Sequence, residues 1–151
     1  MIERDMPIYF AGRYSRRDEL AGYAAEMRRA GFNVISHWLT ETAESMEVLT
    51  DEERAATAER DCNEIQEADV FVLFTEPLND MVPGPWATGG RHFETGYFKG
   101  LLDAGFGSAK VIVIGGPQNI FHYLPGVMHY PGWPAFKRVF LAALSEATDG
   151  D

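Results

Sequence analysis

The chain has 151 residues, with 13 Lys and Arg against 23 Asp and Glu, a formal charge of −10 and a hydrophobic fraction of 46%. This hydrophobic fraction is typical of a globular protein and excludes a mainly disordered chain. The acidity argues against a surface that coats DNA or RNA, because clustered Lys and Arg supply the affinity for a phosphate backbone.

The cysteine content and the lack of long apolar runs exclude further classes of protein. Cys62 is the single cysteine, so neither an internal disulfide nor a multi-cysteine zinc site is expected. No apolar run approaches the roughly 20 residues of a membrane helix, and the segment Met1–Asp5 lacks the basic and then apolar layout of a signal peptide. We therefore expect residues 1–151 to form one cytoplasmic domain that acts on a small molecule.

The first third of the chain predicts a strand–helix–strand unit. Pro7–Ala11 is a short apolar run typical of a buried strand, and Ser15–Asp18 has the form of a capping box that opens a helix. Gly31 ends that helix, and Phe32–Ser36 is the predicted second strand. Leu39–Leu49 is polar without a clear period, which predicts a loop.

The rest of the chain continues the alternation of helix and strand. Thr50–Glu53 is a second capping box that opens a helix to about Glu67, and the apolar strand Val70–Phe74 follows. A loop rich in Pro and Gly, Glu76–Gly90, precedes a helix over about His92–Ala104. The last predicted elements are a strand, a helical turn, a weak strand and a helix, at 110–114, 120–124, 127–129 and about 134–147. The last helix is expected to face the core with Phe136, Val139, Phe140 and Ala143.

This alternation predicts an α/β fold built on a doubly wound parallel sheet. We expect three layers, with five parallel strands in flavodoxin-like order. Ligands of such sheets bind beyond the carboxyl ends of the strands. The residues expected at those ends are Gly12, Arg13, His37, Trp38, Thr75, Gly115 and Gly116.

Two carboxylates break the amphipathic pattern of their predicted helices. Asp61 shares a stripe with Ile65 and Ala68, and Glu94 begins an apolar stripe that continues to Phe98. Because burial of an unpaired carboxylate is costly, two acids that face the sheet indicate a site for acid/base or nucleophilic chemistry. The alternative stays open that Asp61 is a hydrogen-bonded interior acid and that Glu94 pairs with the positive end of its helix dipole.

Three further candidates near the predicted strand ends each have two interpretations. Tyr9 is either a core tyrosine or a hydroxyl of the site, and Trp38 either packs in the core or stacks on a flat ring. Arg13, with Arg16 and Arg17, lies at the first strand-to-helix turn, where backbone N–H groups can also bind an anion. These arginines are equally consistent with solvated surface charge.

The common cofactor and metal motifs are missing from the sequence. His92-Phe93-Glu94 has the H-x-E form of a zinc deaminase, but no P-C-x-x-C follows it. Neither G-x-G-x-x-G nor G-x-x-x-x-G-K-[ST] follows the first strand, and no G-x-S-x-G elbow occurs. The four histidines show no metal-ligand spacing, so we expect neither a metal nor a cofactor.

Four short motifs follow one another between about residues 7 and 130. They are Ile8–Gly12, Asp61-x-x-x-Ile65-x-x-Ala68-Asp69-Val70, Gly89–Tyr97 and Val113–Asn119. Their order and spacing resemble the nucleoside 2-deoxyribosyltransferase family, including its nucleotide N-glycosidase branch. The resemblance implies cleavage of the N-glycosidic bond of a 2'-deoxynucleoside or its 5'-monophosphate, with transfer of the sugar to a base or to water and without a cofactor.

The resemblance also implies roles for single residues. Glu94, in the context G-x-x-x-E-x-G, would be the nucleophile. Asp61 would bind sugar hydroxyls or help to protonate the leaving base, and the Tyr9 hydroxyl would orient the nucleophile. The predicted substrate-binding residues are Gly12, Arg13, Trp38, Thr88, Gly90, Arg91 and Asn119.

Position 88 bears on the substrate. The transferases of this family often carry an acid six residues before the glutamate, whereas the nucleotide hydrolases carry a serine. This chain has Thr88 there, which favours a monophosphate substrate with Thr88 and Asn119 near the phosphate.

The resemblance further implies a homodimer or larger homo-oligomer. An aromatic-rich stretch could supply the interface, cover the site or pack the last helix; it contains Phe121, Tyr123, Met128, Tyr130 and Trp133. A function of another class, a non-catalytic nucleotide-sensing module, remains possible on the same fold. The presence of Tyr9, Asp61 and Glu94 together favours the enzyme.

Overall fold

In the computed structural model, which describes residues 2–42, 48–75, 89–106 and 110–148, the chain folds around one parallel sheet. The described residues give it five strands in the order β2-β1-β3-β4-β5. The strands are β1 (Pro7–Ala11), β2 (Asn33–Val34), β3 (Val70–Phe74), β4 (Lys110–Ile114) and β5 (Val127–Tyr130). This is the flavodoxin-like order, so the predicted fold class is confirmed.

Helices cover both faces of the sheet. In the described part of the chain the α-helices are α1 (Arg17–Arg29), α2 (Asp51–Glu67), α3 (Gly90–Asp103) and α4 (Trp133–Thr148). On one face, Gln66 Nε2 of α2 donates to Tyr97 Oη of α3 at 2.5 Å. On the other, Trp133 of α4 stacks on Tyr23 of α1 with ring centroids 4.4 Å apart. The three predicted layers are therefore present.

Strands β1 and β3 carry aromatic side chains toward both helix layers, as expected of central parallel strands. Tyr9 stacks on Phe71 with centroids 5.7 Å apart, and Phe71 stacks on Phe98 of α3 at 5.1 Å. On the opposite face Phe10 meets Phe74 edge-on at 4.9 Å. The alternation of β1 thus directs the Tyr9 side chain toward the layer formed by α2 and α3.

The two predicted capping boxes have different outcomes. At α2 the box is confirmed, because Thr50 Oγ1 accepts from Glu53 N at 3.2 Å and the Glu53 carboxylate accepts from Thr50 N at 2.8 Å. At α1 it is wrong. Ser15 lies within a 3-10 turn, Tyr14–Arg16, and not in the extended conformation that an N-cap residue requires, and α1 begins at Arg17.

The second strand is shorter than predicted. Beyond Asn33–Val34, a backbone bond from Ile35 N to Ile8 O at 2.9 Å is the last contact of the strand type. The Ser36 hydroxyl then accepts from Phe10 N at 2.6 Å, and Trp38 Nε1 donates to Phe10 O at 2.7 Å. These side chains replace further backbone pairing. A 3-10 helix, His37–Thr40, follows and occupies the start of the predicted loop Leu39–Leu49, of which residues 43–47 lie outside the described residues.

Two other predictions have mixed outcomes. On α4, Phe136 and Phe140 are buried as expected, but Val139 is 52% exposed; the side chain at position 143 lies outside the described residues. Of the predicted loop Glu76–Gly90, residues 76–88 also lie outside them, and Gly90 is the first residue of α3.

Candidate active site

A buried phenol and a carboxylate meet between β1 and α3. Tyr9 Oη donates to Glu94 Oε1 at 3.0 Å. Tyr9 is fully buried, whereas Glu94 is partly buried one turn after the start of α3. The sheet order places β1 beside β3, and α3 packs across both strands, so two residues that are distant in sequence become hydrogen-bond partners.

Glu94 is a carboxylic acid with an unusual proton affinity. Burial raises its pKa to about 7, the charges of Asp61 and Glu64 act in the same direction, and the bond from Tyr9 opposes them. This corrects the expectation that the helix dipole favours the anion. Glu94 is the fifth residue of α3, which begins at Gly90, and the dipole acts mainly within the first turn, so burial dominates.

The Tyr9 hydroxyl remains a donor over the whole physiological pH range. Burial raises the pKa of Tyr9 well above its ordinary value, and the charges of Glu94 and Asp61 raise it further. A protonated phenol can only donate to an ionised carboxylate, so this contact favours the anionic form of Glu94.

Asp61 completes a group of three. Its side chain is 21% exposed and lies on α2 beside Arg60, whose Nη2 contacts Asp61 Oδ1 at 2.9 Å. Burial raises the pKa of Asp61, while the Arg60 guanidinium opposes that change. Asp61 also raises the pKa of both Glu94 and Tyr9. Tyr9 and Glu94 are thus hydrogen-bonded to each other, and Asp61 lies within electrostatic range of both.

Three charged residues of this region were missed in the sequence: Glu41, Arg60 and Glu64. Glu64 is 7% exposed, accepts from His37 N at 3.0 Å and contacts His37 Nδ1. Glu41 Oε1 lies 2.5 Å from Arg60 Nη2. A signal existed for Glu64, which follows Asp61 by three residues and thus shares its helix face, but charged helix residues usually point to solvent.

The predicted binding residues around β1 and β2 show clear structural roles. A Cβ on Gly12 would lie 2.5 Å from Leu20 Cδ1, so a side chain at this position would displace the buried Leu20 side chain of α1. Trp38 is 6% exposed and donates to the backbone of β1, which favours its interpretation as a core residue and leaves little ring surface for stacking. Arg13 is the second residue after β1 and is partly buried.

Three of the other predicted binding residues, Gly90, Arg91 and Asn119, lie in α3 or beside it. Gly90 and Arg91 begin the helix, and Thr88 lies outside the described residues. Asn119 caps the 3-10 helix Ile120–Tyr123, where its Oδ1 accepts from Phe121 N at 3.0 Å. Asn119 lines a groove of about 510 Å³ on the flank of α3 away from Glu94, so within the described contacts it is not joined to the carboxylates.

A second cavity lies at the carboxyl ends of β3 and β4, where a ligand was predicted. Its volume is about 660 Å³, and Thr75, Gly115 and Trp133 line it, which is a size typical of small-molecule sites. Gly115 has φ +118°, and a Cβ there would lie 2.2 Å from Thr75 Oγ1, so only glycine fits. Tyr9, Asp61 and Glu94 do not line this cavity, which opens on the opposite face of the sheet.

The described ranges contain neither a cluster of metal-binding side chains nor a membrane-spanning helix. Among those residues no group of three or more His, Cys, Asp or Glu is arranged to bind a metal ion. None of the helices in that part of the chain combines the length and the apolar composition needed to cross a bilayer.

The fold is shared with a solved CMP N-glycosidase. The chain is similar to BcmB of Clostridium botulinum, with a TM-score of 0.52 and 15% sequence identity over 89% of this chain and 97% of that one. No protein-family model and no curated protein matches the sequence. At this identity the likeness establishes the fold, and at that level it confirms the resemblance drawn from the four motifs.

Proposed function

We propose that this protein cleaves the N-glycosidic bond of a 2'-deoxynucleoside or its 5'-monophosphate, with Glu94 as the nucleophile. The observation that carries the proposal is the 3.0 Å bond from Tyr9 Oη to Glu94 Oε1, beside Asp61. Support comes from the fold, which the chain shares with an N-glycosidase. Paired carboxylates suit a reaction in which positive charge develops on a sugar ring.

The reaction follows from the chemistry of the Glu94 carboxylate. One of its oxygens attacks the anomeric carbon while the bond from that carbon to the base nitrogen breaks. The electron pair of the broken bond leaves with the base, which takes up a proton. Attack of water or of a second base on the glycosyl ester then releases the sugar and restores Glu94. Tyr9 orients the carboxylate through its hydrogen bond.

Asp61 is assigned to the sugar and the leaving base. A carboxylate beside the nucleophile binds sugar hydroxyls or helps to protonate the departing base. Burial raises the pKa of Asp61, which is the direction of change that a proton donor needs.

We also propose a preference for the 5'-monophosphate. The backbone N–H groups at the start of α3, near Gly90 and Arg91, form a helix N-terminus of the kind that binds phosphate. Arg13 adds positive charge at the first strand-to-helix turn, and Thr88 directly precedes Gly89 in sequence. Equal turnover of a nucleoside and its monophosphate would contradict this preference.

The activity is tested by incubation with mixed 2'-deoxynucleosides and their monophosphates, with and without a second free base. We expect release of free base, and a sugar-sized adduct on the intact protein after quenching. In Glu94→Gln the adduct disappears and base release falls by orders of magnitude, because an amide cannot form the glycosyl ester. Glu59→Gln, an exposed acid on α2, is the matched control and stays active.

Two outcomes would overturn the proposal. A Glu94→Ala protein with near-normal base release excludes Glu94 as nucleophile. Tight nucleotide binding by the wild type without base release from any substrate excludes the enzyme and leaves a sensing module.

Self-association is the last part of the proposal. Ile120, Phe121 and Tyr123 are strongly exposed on the 3-10 helix Ile120–Tyr123. Phe121 lines the groove next to α3, and Tyr123 lines the second cavity. Trp133 is buried against Tyr23, so that residue packs the core. Exposed apolar side chains clustered at a groove are typical of a protein interface, and we propose that a second copy of the chain covers them.

A further inference from the structure

We propose that Arg60 is a positioning residue: by binding Glu41 and one oxygen of Asp61, it fixes the Asp61 carboxylate in place and offsets part of the negative charge around it. The catalytic consequence rests on the proposed function. The effect on the charge of Asp61 does not, and it can be measured without substrate.

The geometry around Arg60 is unusual for neighbours in a helix. Arg60 and Asp61 are consecutive, and consecutive helix residues do not face each other. Even so, Arg60 Nη2 lies 2.9 Å and Nε lies 3.3 Å from Asp61 Oδ1. Glu41, which directly follows the 3-10 helix His37–Thr40, accounts for this arrangement because its Oε1 binds Arg60 Nη2 at 2.5 Å.

Both contacts from Arg60 go to the same oxygen of Asp61. Within the described residues no donor contacts the other oxygen, Oδ2. Asp61 is therefore held through Oδ1, while Oδ2 can receive a sugar hydroxyl or carry a proton. Contacts to one oxygen alone orient the Asp61 carboxylate and leave its other oxygen available to the substrate.

Arg60 also balances a local excess of negative charge. The titratable groups around Asp61 come from several elements: Arg60, Cys62 and Glu64 on α2, Glu94 on α3, Tyr9 on β1, and His37 and Glu41 in the segment after β2. Arg60 contacts Glu41 and Asp61 directly, and its Nε lies 3.9 Å from Glu64 Oε1. Carboxylates this close raise one another's proton affinity unless a cation compensates them.

The size of the effect follows from this contact. An opposite charge within hydrogen-bond range lowers a carboxyl pKa by roughly 1–3 units. Because the Arg60 side chain is 38% exposed, solvent screening places its effect at the lower end, about one unit. Loss of the guanidinium then moves the ionisation of Asp61 to higher pH.

The direct test is a carbon-detected NMR titration of the carboxyl groups in the full chain. We expect Arg60→Gln to raise the pKa of Asp61 by about one unit, and Arg60→Lys, which keeps the charge, to raise it by less than half of that. Glu41→Gln removes a negative charge and lowers the pKa. Arg54→Gln is the control, because Arg54 lies on the same helix but pairs with the exposed Asp51 at 3.4 Å.

Opposite shifts in Arg60→Gln and Glu41→Gln cannot come from a general loosening of α2. An Asp61 pKa that is the same in Arg60→Gln and the wild type overturns the proposal. If Arg60→Gln does not fold, an unchanged Asp61 pKa in Glu41→Gln overturns it equally.

The kinetic test separates this inference from the proposed function. In a pH profile of kcat/KM, the limb that Asp61→Asn abolishes should move upward by about one pH unit in Arg60→Gln and stay in place in Arg54→Gln. A wild type that releases no base refutes the proposed function, while the NMR titration still decides the role of Arg60. An active wild type whose limb does not move in Arg60→Gln refutes the role of Arg60 alone.

Discussion

Burial and the hydrogen bond from Tyr9 have opposite effects on the pKa of Glu94. The substitution Tyr9→Phe deletes a single oxygen atom and removes that hydrogen bond. Burial raises the pKa of Glu94 to about 7, and the bond from Tyr9 lowers it. In Tyr9→Phe the pKa should therefore rise, by about one unit for a charge-assisted hydrogen bond. A nucleophile must be ionised, so the acid limb of kcat/KM should move upward by about one pH unit.

The control for this change is Tyr97→Phe. It removes a phenol from α3 that accepts from Gln66, whereas the described hydrogen bond of Glu94 comes from Tyr9. A profile measured between pH 5 and 9 that is the same for Tyr9→Phe and Tyr97→Phe would show that the Tyr9 hydroxyl does not control Glu94.

The same burial makes Glu94 unfavourable for stability at neutral and higher pH. Its pKa is 4.5 in an ordinary environment and about 7 in the folded chain, so the folded state keeps a proton that the unfolded state releases. The contribution of this proton to the free energy of unfolding is complete below pH 4.5 and is lost as the pH rises to about 7.

Glu94→Gln stays neutral at every pH and should escape this loss. Urea unfolding at pH 8 should give a free energy of unfolding roughly 1–3 kcal/mol higher than that of the wild type. The difference should shrink toward zero at pH 4.5. Parallel pH dependences for the two proteins would contradict the assignment of a raised pKa to Glu94.

At the scale of elements, the start of α2 is fixed by a capping box and the start of α1 is not. Thr50→Ala removes an acceptor for Glu53 N and should lower the free energy of unfolding by about 1 kcal/mol. Base release should stay within about twofold, because Asp61 lies three turns further along α2. Ser15→Ala is the matched control and should leave stability unchanged, since Ser15 caps no helix.

Chemical denaturation of both variants checks these expectations. An equal loss in Ser15→Ala and Thr50→Ala would mean that α1 begins at Ser15 after all. No loss in either would mean that neither hydroxyl caps a helix in solution.

The elements were predictable wherever local pattern and tertiary packing agree. Val70–Phe74 is apolar at every position, which is typical of a strand that is buried on both faces. Strand β3 has the predicted bounds. The end of β2 was not predictable, because side chains of Ser36 and Trp38 take the hydrogen bonds that a longer strand would have made. From the sequence alone, these side-chain hydrogen bonds cannot be distinguished from the backbone hydrogen bonds between paired strands.

The candidate site was visible in part for a similar reason. Asp61 and Glu94 interrupt apolar stripes, so their helices alone reveal them. Arg60 and Glu41 resemble ordinary surface charges, and their contact depends on how the segment after β2 packs on α2. The distance from Tyr9 to Glu94 depends likewise on the packing of α3 across β1.

For the whole molecule, the proposed second copy gives a direct prediction. Light scattering should give the wild type at least twice the chain mass of 16.9 kDa. Phe121→Ser should lower this mass, because Phe121 is 64% exposed and lines the groove beside α3. Val48→Ser removes an exposed apolar residue that does not line this groove and should leave the mass unchanged. A wild type of single-chain mass at assay concentrations would contradict the assembly.

The side-chain bonds that end β2 also protect the molecule from aggregation. Past Ile8, the outer edge of β1 has no neighbouring strand in the described sheet, and an uncovered edge is a template on which a foreign strand can add. Phe10 would offer its N–H and C=O there, but Ser36 and Trp38 already bind both groups. The indole that was considered for ligand stacking thus closes the sheet against strand addition.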